Sequence, residues 1–405
     1  MDRSATRPAD SYSPIYFLAS LGAGGIAVTF FMFLMFWVPH PGQPVPVFED
    51  IVAAFGNGSA AMQAGIAIAL SGIAAFAFLN IKSLVWNLQS FAIFKKTDAY
   101  AKLLETNAEA TVLAMPLALA MSVNALFIVG LVFVPQLWGV VEYLFPLALI
   151  AFAAIGVLAF RMIGSFLGRV LSKGGVFDVT AHNSFAQLLP AFSIAMIGVG
   201  FAAPAAMSTS ATTVAVALML STFFGVAALL YTTIAAITAF ASMLQHGTAR
   251  ESGPTLMIIV PIMTVLGILF LRQSHGLHVA FDTHAQPGET MIFLARLLSV
   301  QIVFLLLGAV VMMRQGYFSD FVMGAKTSPG SYALVCPAVA LSVMIHFFVN
   351  KGLVVAGAID KFGVAYWGMT GLAIAAQIVA IGLVLRLNRQ HFAHRPANSV
   401  AVPAE

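Results

Sequence analysis

The sequence predicts an all-α integral membrane protein whose ten transmembrane helices form five helical hairpins. Hydrophobic residues make up 60% of the 405 positions and charged residues only 8%, whereas a soluble domain carries about 25% charged residues. Ten apolar stretches also reach the roughly 20 residues that a helix needs to cross a bilayer. Finally, four prolines stand near the starts of alternate stretches, at spacings of 74, 71 and 76 residues: Pro116, Pro190, Pro261 and Pro337.

The ten stretches are read as helices rather than as strands of an outer-membrane barrel. Barrel strands alternate polar and apolar residues over ~10-residue segments, and runs such as 66–79 and 302–313 do not alternate. The mean hydropathy of the chain is +0.97. The predicted helices span residues 14–38, 62–92, 108–134, 143–170, 185–206, 211–244, 254–272, 290–313, 330–350 and 364–388.

The distribution of lysine and arginine predicts the orientation, because cytoplasmic loops carry an excess of both residues. With the N-terminus inside and ten crossings, fifteen lysines and arginines lie on the cytoplasmic side. Only four, Arg272, Arg296, Lys351 and Lys361, lie on the outer side. We therefore expect both termini to be cytoplasmic, in a bacterial inner membrane.

The chain divides into a cytoplasmic N-terminus (1–12), one transmembrane domain (13–389) and a disordered cytoplasmic tail (390–405). The first apolar run has no small-residue cleavage site, so it is expected to stay as an anchor. A single cysteine excludes an internal disulfide. The net charge of +4 is explained by the membrane topology, and no nucleic-acid partner is predicted.

The proline spacing predicts two kinds of helix. Broken helices are tolerated in a bilayer only where protein or a water-filled cavity satisfies the freed carbonyls. The segments 62–92, 211–244, 291–313 and 366–388 contain no proline. We therefore expect proline-kinked odd-numbered helices to form an inner pore ring, with even-numbered helices outside. On the first helix, a glycine cluster at 22–25 takes the place of the proline.

Three apolar runs carry a resemblance to a known superfamily: the glycine-rich stretch 16–25, the run 253–261 and the run 331–341. In layout and in these runs, the chain resembles the bacterial tellurite-resistance/dicarboxylate transporters and the plant slow anion channels. The resemblance implies five hairpins, proline-kinked odd helices around a pore, and a homotrimer with one pore in each protomer. The length of the chain suggests a divergent bacterial branch.

The sequence departs from that superfamily at the gate. There, a phenylalanine on the fifth inner helix plugs the pore just before the helix bends. Aligning on Pro337 puts Cys336 near that place, and no phenylalanine occurs between Met323 and His346. Either the plug is absent, or Tyr332 or Phe192 replaces it.

The placement of charged residues favours an anion as the substrate. All fifteen carboxylates are expected in loops or at helix ends, with Glu109 the deepest, whereas proton and sodium pathways generally use membrane-embedded acids. An anion needs only N–H groups, hydroxyls and a mild positive field. The predicted pore-lining residues are Gly24, Gly25, Pro116, Asn124, Pro190, Phe192, Ser193, Pro261, Thr264, Tyr332, Cys336 and Pro337.

The predicted function is thus a transporter or channel for small anions. Inorganic and sulfur oxyanions are favoured, because no inner-helix arginine is available to clamp a carboxylate in a bidentate manner. One alternative is a proton-coupled exporter of C4-dicarboxylates or other organic anions that uses Glu109 or His346. Two others are a cofactor-binding membrane enzyme or redox subunit, and a purely structural or assembly protein.

No enzyme activity, cofactor or metal is predicted, since the common catalytic motifs do not occur in the sequence. A lone His346 within a helix does not supply the two facing ligands of a bis-histidine haem. One outer loop has a loose metal-like spacing, which we interpret as a solvated loop; its residues are His275, His278, Asp282 and His284.

Overall fold

The computed structural model describes residues 7–173, 178, 184–281 and 286–393. Within these residues there is no strand, and ten helices are long and apolar enough to cross a membrane, which confirms the predicted all-α class. We number these helices as spans 1 to 10: Pro14–Trp37, Ala60–Phe94, Asn107–Phe133, Leu137–Lys173, Phe185–Met207, Ala211–His246, Arg250–His278, Pro287–Arg314, Pro329–Val354 and Val364–Phe392.

Shorter helices lie in the connections between spans. An amphipathic helix, Phe48–Asn57, follows span 1, and Asp98–Leu103 follows span 2. A π-helical turn, Phe318–Val322, joins spans 8 and 9. The tail predicted from residue 390 begins as helix, because span 10 continues to Phe392; residues 394–405 and the first six residues lie outside the described part of the chain.

Odd-numbered and even-numbered spans differ in burial. Among the odd-numbered spans, at least 61% of the most apolar window is buried, whereas among the even-numbered spans the share is at most 39%. Large apolar side chains such as Phe78, Ile150 and Phe223 are exposed on the even-numbered spans. A helix that is apolar and exposed is suited to lipid.

The packing partners follow the same division. Span 1 packs against span 3, span 3 against span 5, span 5 against span 7, span 7 against span 9, and span 9 against span 1. Each odd-numbered span also packs against the even-numbered span that follows it. We call the end of the bundle where the odd-numbered spans begin the proximal end, and the end where they finish the distal end.

Each of the four spaced prolines stands at the second or third residue of an α-helix, after a 3₁₀ segment. These segments are Asn107–Leu113, Phe185–Leu188, Arg250–Met257 and Pro329–Leu334. A proline ring clashes with the carbonyl four residues earlier in an α-helix, so the preceding turn takes a different geometry. The missing N–H costs little there, since the first N–H groups of an α-helix have no intrahelical acceptor.

The proline pattern is less strict than the sequence reading suggests. Span 4 carries Pro146 inside its α-helix, and span 5 has a second proline, Pro204, near its distal end. Span 1 also begins with a 3₁₀ turn, Pro14–Tyr16, before its α-helix starts at Phe17. All five odd-numbered spans therefore start in the same way.

The glycine cluster of span 1 allows close approach of its neighbours. A Cβ atom on Gly22 would lie 2.8 Å from Val335, and one on Gly25 would lie 2.9 Å from Val339, both on span 9. Small residues at such positions let membrane helices pack backbone to backbone. The cluster acts through packing, since the α-helix Phe17–Trp37 runs through it.

We expect Gly200→Ala to lower stability, because a Cβ there would overlap the buried Phe152 ring of span 4. Overpacking of this kind costs about 1–3 kcal/mol. The measurement is the melting temperature of the detergent-purified protein. The control is Gly382→Ala on span 10, where nothing lies within 4 Å of the added Cβ and alanine favours the helix. Equal melting temperatures for the two variants would contradict this packing.

Candidate functional site

A narrow inner cavity lies between the odd-numbered spans. Its volume is about 120 Å³, and each of the five odd-numbered spans contributes to its wall. The wall is almost entirely apolar. Its residues are Leu21, Gly22, Gly25, Val28, Met121, Asn124, Phe192, Met196, Val199, Pro261, Thr264, Val265, Ile268, Arg272, Cys336, Val339, Ala340 and Val343.

A larger outer cavity of about 540 Å³ lies at the distal end of the bundle. The distal halves of all five odd-numbered spans line it, together with the loop after span 1 and parts of spans 4 and 8. Its ionisable lining residues are Arg272, Lys351, His40, His275 and His278, and no carboxylate is among the described residues of its wall. The cavity is therefore electropositive.

Four residues belong to the walls of both cavities: Val28, Asn124, Ile268 and Arg272. We call these four residues the neck, since they mark the place where the outer cavity meets the inner one. Two of them are apolar and two are polar. A solute that crosses from one cavity to the other at the neck passes Asn124 and Arg272.

Arg272 corrects the statement that no inner-helix arginine is available. The predicted seventh helix ends at residue 272, which would place Arg272 at the outer edge of the membrane. In the structure the α-helix continues from Ile259 to Phe281, so Arg272 lies within the helix and faces the neck. Close packing supports the extension, because Gly276 lies directly against the Ala205 carbonyl of span 5.

The guanidinium of Arg272 has a protein acceptor but no counter-charge. Its Nη1 donates a hydrogen bond to the Val199 carbonyl of span 5 at 2.9 Å. Among the described residues, no carboxylate lies within 4 Å of it. A cation surrounded by apolar walls is costly unless it is paired or hydrated. Its charge is thus available to a solute in either cavity.

Half of the residues predicted to line a pore lie on the wall of the inner cavity. These six are Gly25, Asn124, Phe192, Pro261, Thr264 and Cys336. Of these, Phe192, Pro261 and Cys336 are the lining residues nearest the proximal starts of their α-helices. Phe192 and Cys336 therefore both lie at the proximal end of the inner cavity's wall.

The other six predicted residues lie behind the wall. Pro116, Pro190 and Pro337 are buried in the starts of their helices, and Gly24 faces Asn80 and Met121. Ser193 is fully buried.

Tyr332 also lies apart from both cavities. Its hydroxyl donates to Oδ1 of Asn388 on span 10 at 2.8 Å, and its ring packs against Tyr16 and His391. His391 in turn hydrogen-bonds to the Tyr16 hydroxyl at 2.8 Å. These contacts join the starts of spans 1 and 9 to the end of span 10.

Thr264 is held by its neighbours as well as lining the inner cavity. Its hydroxyl donates to the Ala340 carbonyl of span 9 at 3.1 Å. The buried amide of Gln301 on span 8 donates to Thr264 and to the Val260 carbonyl beside Pro261. This network fixes the start of the α-helix in span 7 against spans 8 and 9.

The two residues considered for proton coupling lie away from both cavities. Glu109 forms an ion pair with Arg169 of span 4 at the proximal end. His346 is fully buried beside Phe33 and Phe36, and neither ring nitrogen has a hydrogen-bond partner among the described residues.

The loosely spaced histidines of the outer loop divide between the cavity and the rest of the loop. His275 and His278 belong to the extended helix of span 7 and line the outer cavity. Asp282 and His284 lie outside the described residues. Within the described part of the chain, no group of three histidine, cysteine, aspartate or glutamate residues has a metal-binding arrangement.

No family model matches the chain, and no curated protein matches it either.

We expect Cys336, the only cysteine of the chain, to report on access to the inner cavity. An anionic methanethiosulfonate should modify it about tenfold faster than a trimethylammonium analogue, because an electropositive cleft concentrates anions. Intact mass spectrometry of the native protein measures both rates. Cys336→Ala should gain no adduct. Equal rates, or labelling only after denaturation, would contradict the cavity route.

Proposed function

We propose that this protein is a membrane transporter or channel that passes small anions through a pore within each protomer. One observation carries the proposal: all five odd-numbered spans line one central cavity system. At its distal end this system carries Arg272 and Lys351, and no carboxylate among the described residues. Pathways for anions are lined by cationic groups and hydrogen-bond donors.

The packing supports an inner ring of five helices. The contacts from span 1 through spans 3, 5, 7 and 9 return to span 1, as a closed ring requires. The greater burial of the odd-numbered spans agrees with even-numbered spans on the lipid side. Five hairpins in succession around a pore would produce both features.

The layout also supports the resemblance to the tellurite-resistance/dicarboxylate transporters and slow anion channels. We propose that the chain is a divergent bacterial member of that superfamily, assembled as a homotrimer in the inner membrane with both termini cytoplasmic. In this orientation the outer cavity opens to the side opposite the cytoplasm, and the closed end of the inner cavity points toward the cytoplasm.

The substrate class follows from the neck. Arg272 lies on an inner helix and can bind a carboxylate in a bidentate manner, contrary to the expectation that no such arginine is available. Inorganic and sulfur oxyanions remain candidates, and small carboxylates join them. A proton-coupled exporter remains an alternative, although Glu109 and His346 lie away from both cavities. A cofactor-binding enzyme is tested by the absorption spectrum of the purified protein.

The gate would be Phe192. It is 3% exposed and lies two residues after Pro190, at the closed end of the inner cavity. An aromatic ring at this end of a 120 Å³ cavity would obstruct the path, and its movement would open it.

We expect Phe192→Ala to raise anion flux at least severalfold, because it removes the aromatic ring from the closed end of the path. The assay is tracer or electrical flux across liposomes that contain the purified protein, over a panel of sulfite, thiosulfate, nitrate, chloride and malate. Phe160→Ala, a substitution between spans 4 and 6 away from both cavities, is the matched control. Cation-selective flux, or no anion flux with either the wild type or Phe192→Ala, would overturn the proposal.

A further inference from the structure

The neck has the chemistry of a binding site as well as that of a passage. Its two polar residues, Asn124 and Arg272, come from spans 3 and 7 and belong to the walls of both cavities. The two other neck residues, Val28 and Ile268, are aliphatic. Apolar walls offer few hydrogen-bond partners, so the N–H groups that the wall leaves unpaired can bind a solute.

Arg272 retains most of its hydrogen-bonding capacity. A guanidinium has five N–H donors, and among the described residues one of them has an acceptor, the Val199 carbonyl. Because Nη1 makes that bond, the edge formed by Nε and Nη2 keeps two parallel N–H groups. Such an edge matches two oxygen atoms of one anion.

The amide of Asn124 has a second N–H group whose acceptor is weak. One direction of its amide Nδ2 points to the Ala120 carbonyl at 3.1 Å, and another points to the Met196 sulfur at 3.8 Å. A thioether is a weak acceptor, so an anionic oxygen at the neck would take this N–H group from the sulfur. The exchange breaks only a weak contact.

We infer that Arg272 and Asn124 form an oxyanion-binding site at the neck, which selects anions with two or more oxygen atoms, such as nitrate, sulfite or a carboxylate, over halides. The inference rests on the proposed function and deepens it. A halide offers a single acceptor atom, so the two parallel N–H groups of the guanidinium edge must converge on it in bent hydrogen bonds, whereas an oxyanion offers a separate oxygen atom to each. Binding also supplies the counter-charge that Arg272 lacks.

Flux and binding together test the inference. Flux of nitrate and chloride is measured in liposomes as a function of concentration, and binding of sodium nitrate and sodium chloride is measured by calorimetry on the detergent-purified protein. We expect Arg272→Gln to raise the half-saturation concentration for nitrate by about 10- to 100-fold, the loss expected for charge-assisted hydrogen bonds. Asn124→Leu should give a smaller increase for nitrate.

Arg272→Lys separates binding from folding. A lysine keeps the positive charge and an N–H donor for the Val199 carbonyl, but it lacks the planar fork of a guanidinium. We expect the preference for nitrate over chloride to fall toward one in this variant while flux persists. The matched control is Lys351→Gln, which removes a cation from the outer cavity outside the neck and should affect both anions alike. If Arg272→Gln does not fold, Arg272→Lys carries the test.

The outcomes distinguish this site from the general function. Absence of anion flux in the wild type would overturn the proposed function, and the inference with it. Anion flux with an unchanged nitrate preference in Arg272→Lys would overturn the oxyanion site and leave the transport function in place. A preference lost in Arg272→Lys and retained in Lys351→Gln would support the site.

Discussion

The whole structure depends on satisfying backbone hydrogen bonds where water is scarce. In an apolar medium each unpaired N–H or C=O group costs several kcal/mol, so a proline in a membrane span is least costly where no N–H bond is lost. The four spaced prolines meet this condition, because each stands at the second or third residue of an α-helix, directly after a 3₁₀ turn. This change of geometry occurs at the depth where the inner cavity ends, near Pro261.

Small and large side chains then decide where the bundle is closed and where it is open. Gly22 and Gly25 bring span 1 against span 9, and Gly200 leaves room for the Phe152 ring between spans 4 and 5. Between the odd-numbered spans, glycine, proline and branched aliphatic residues line a space that no described side chain fills. The cavities therefore result from the same side-chain choices that pack the helices closely elsewhere.

Composition and hydropathy were sufficient to predict ten long helices, because length and apolarity are properties of each segment alone. The proline positions also indicated which spans are more buried. Arg272 could not be placed correctly, since the polar residues after it resemble a loop, whereas in the structure the helix continues and packs through Gly276 against Ala205. Tyr332 lies in a 3₁₀ turn, where a 3.6-residue period does not identify the inward face. Contacts with another helix decide both cases.

The volume of the inner cavity has a consequence for hydration. A space of about 120 Å³ corresponds to on the order of four water molecules at about 30 Å³ each. Under the proposed function, an anion that enters the inner cavity would therefore give up part of its hydration shell at the neck. The N–H groups of Arg272 and Asn124 would then replace the lost water molecules as hydrogen-bond donors, so the cost of dehydration would be offset by the same two residues that bind the anion.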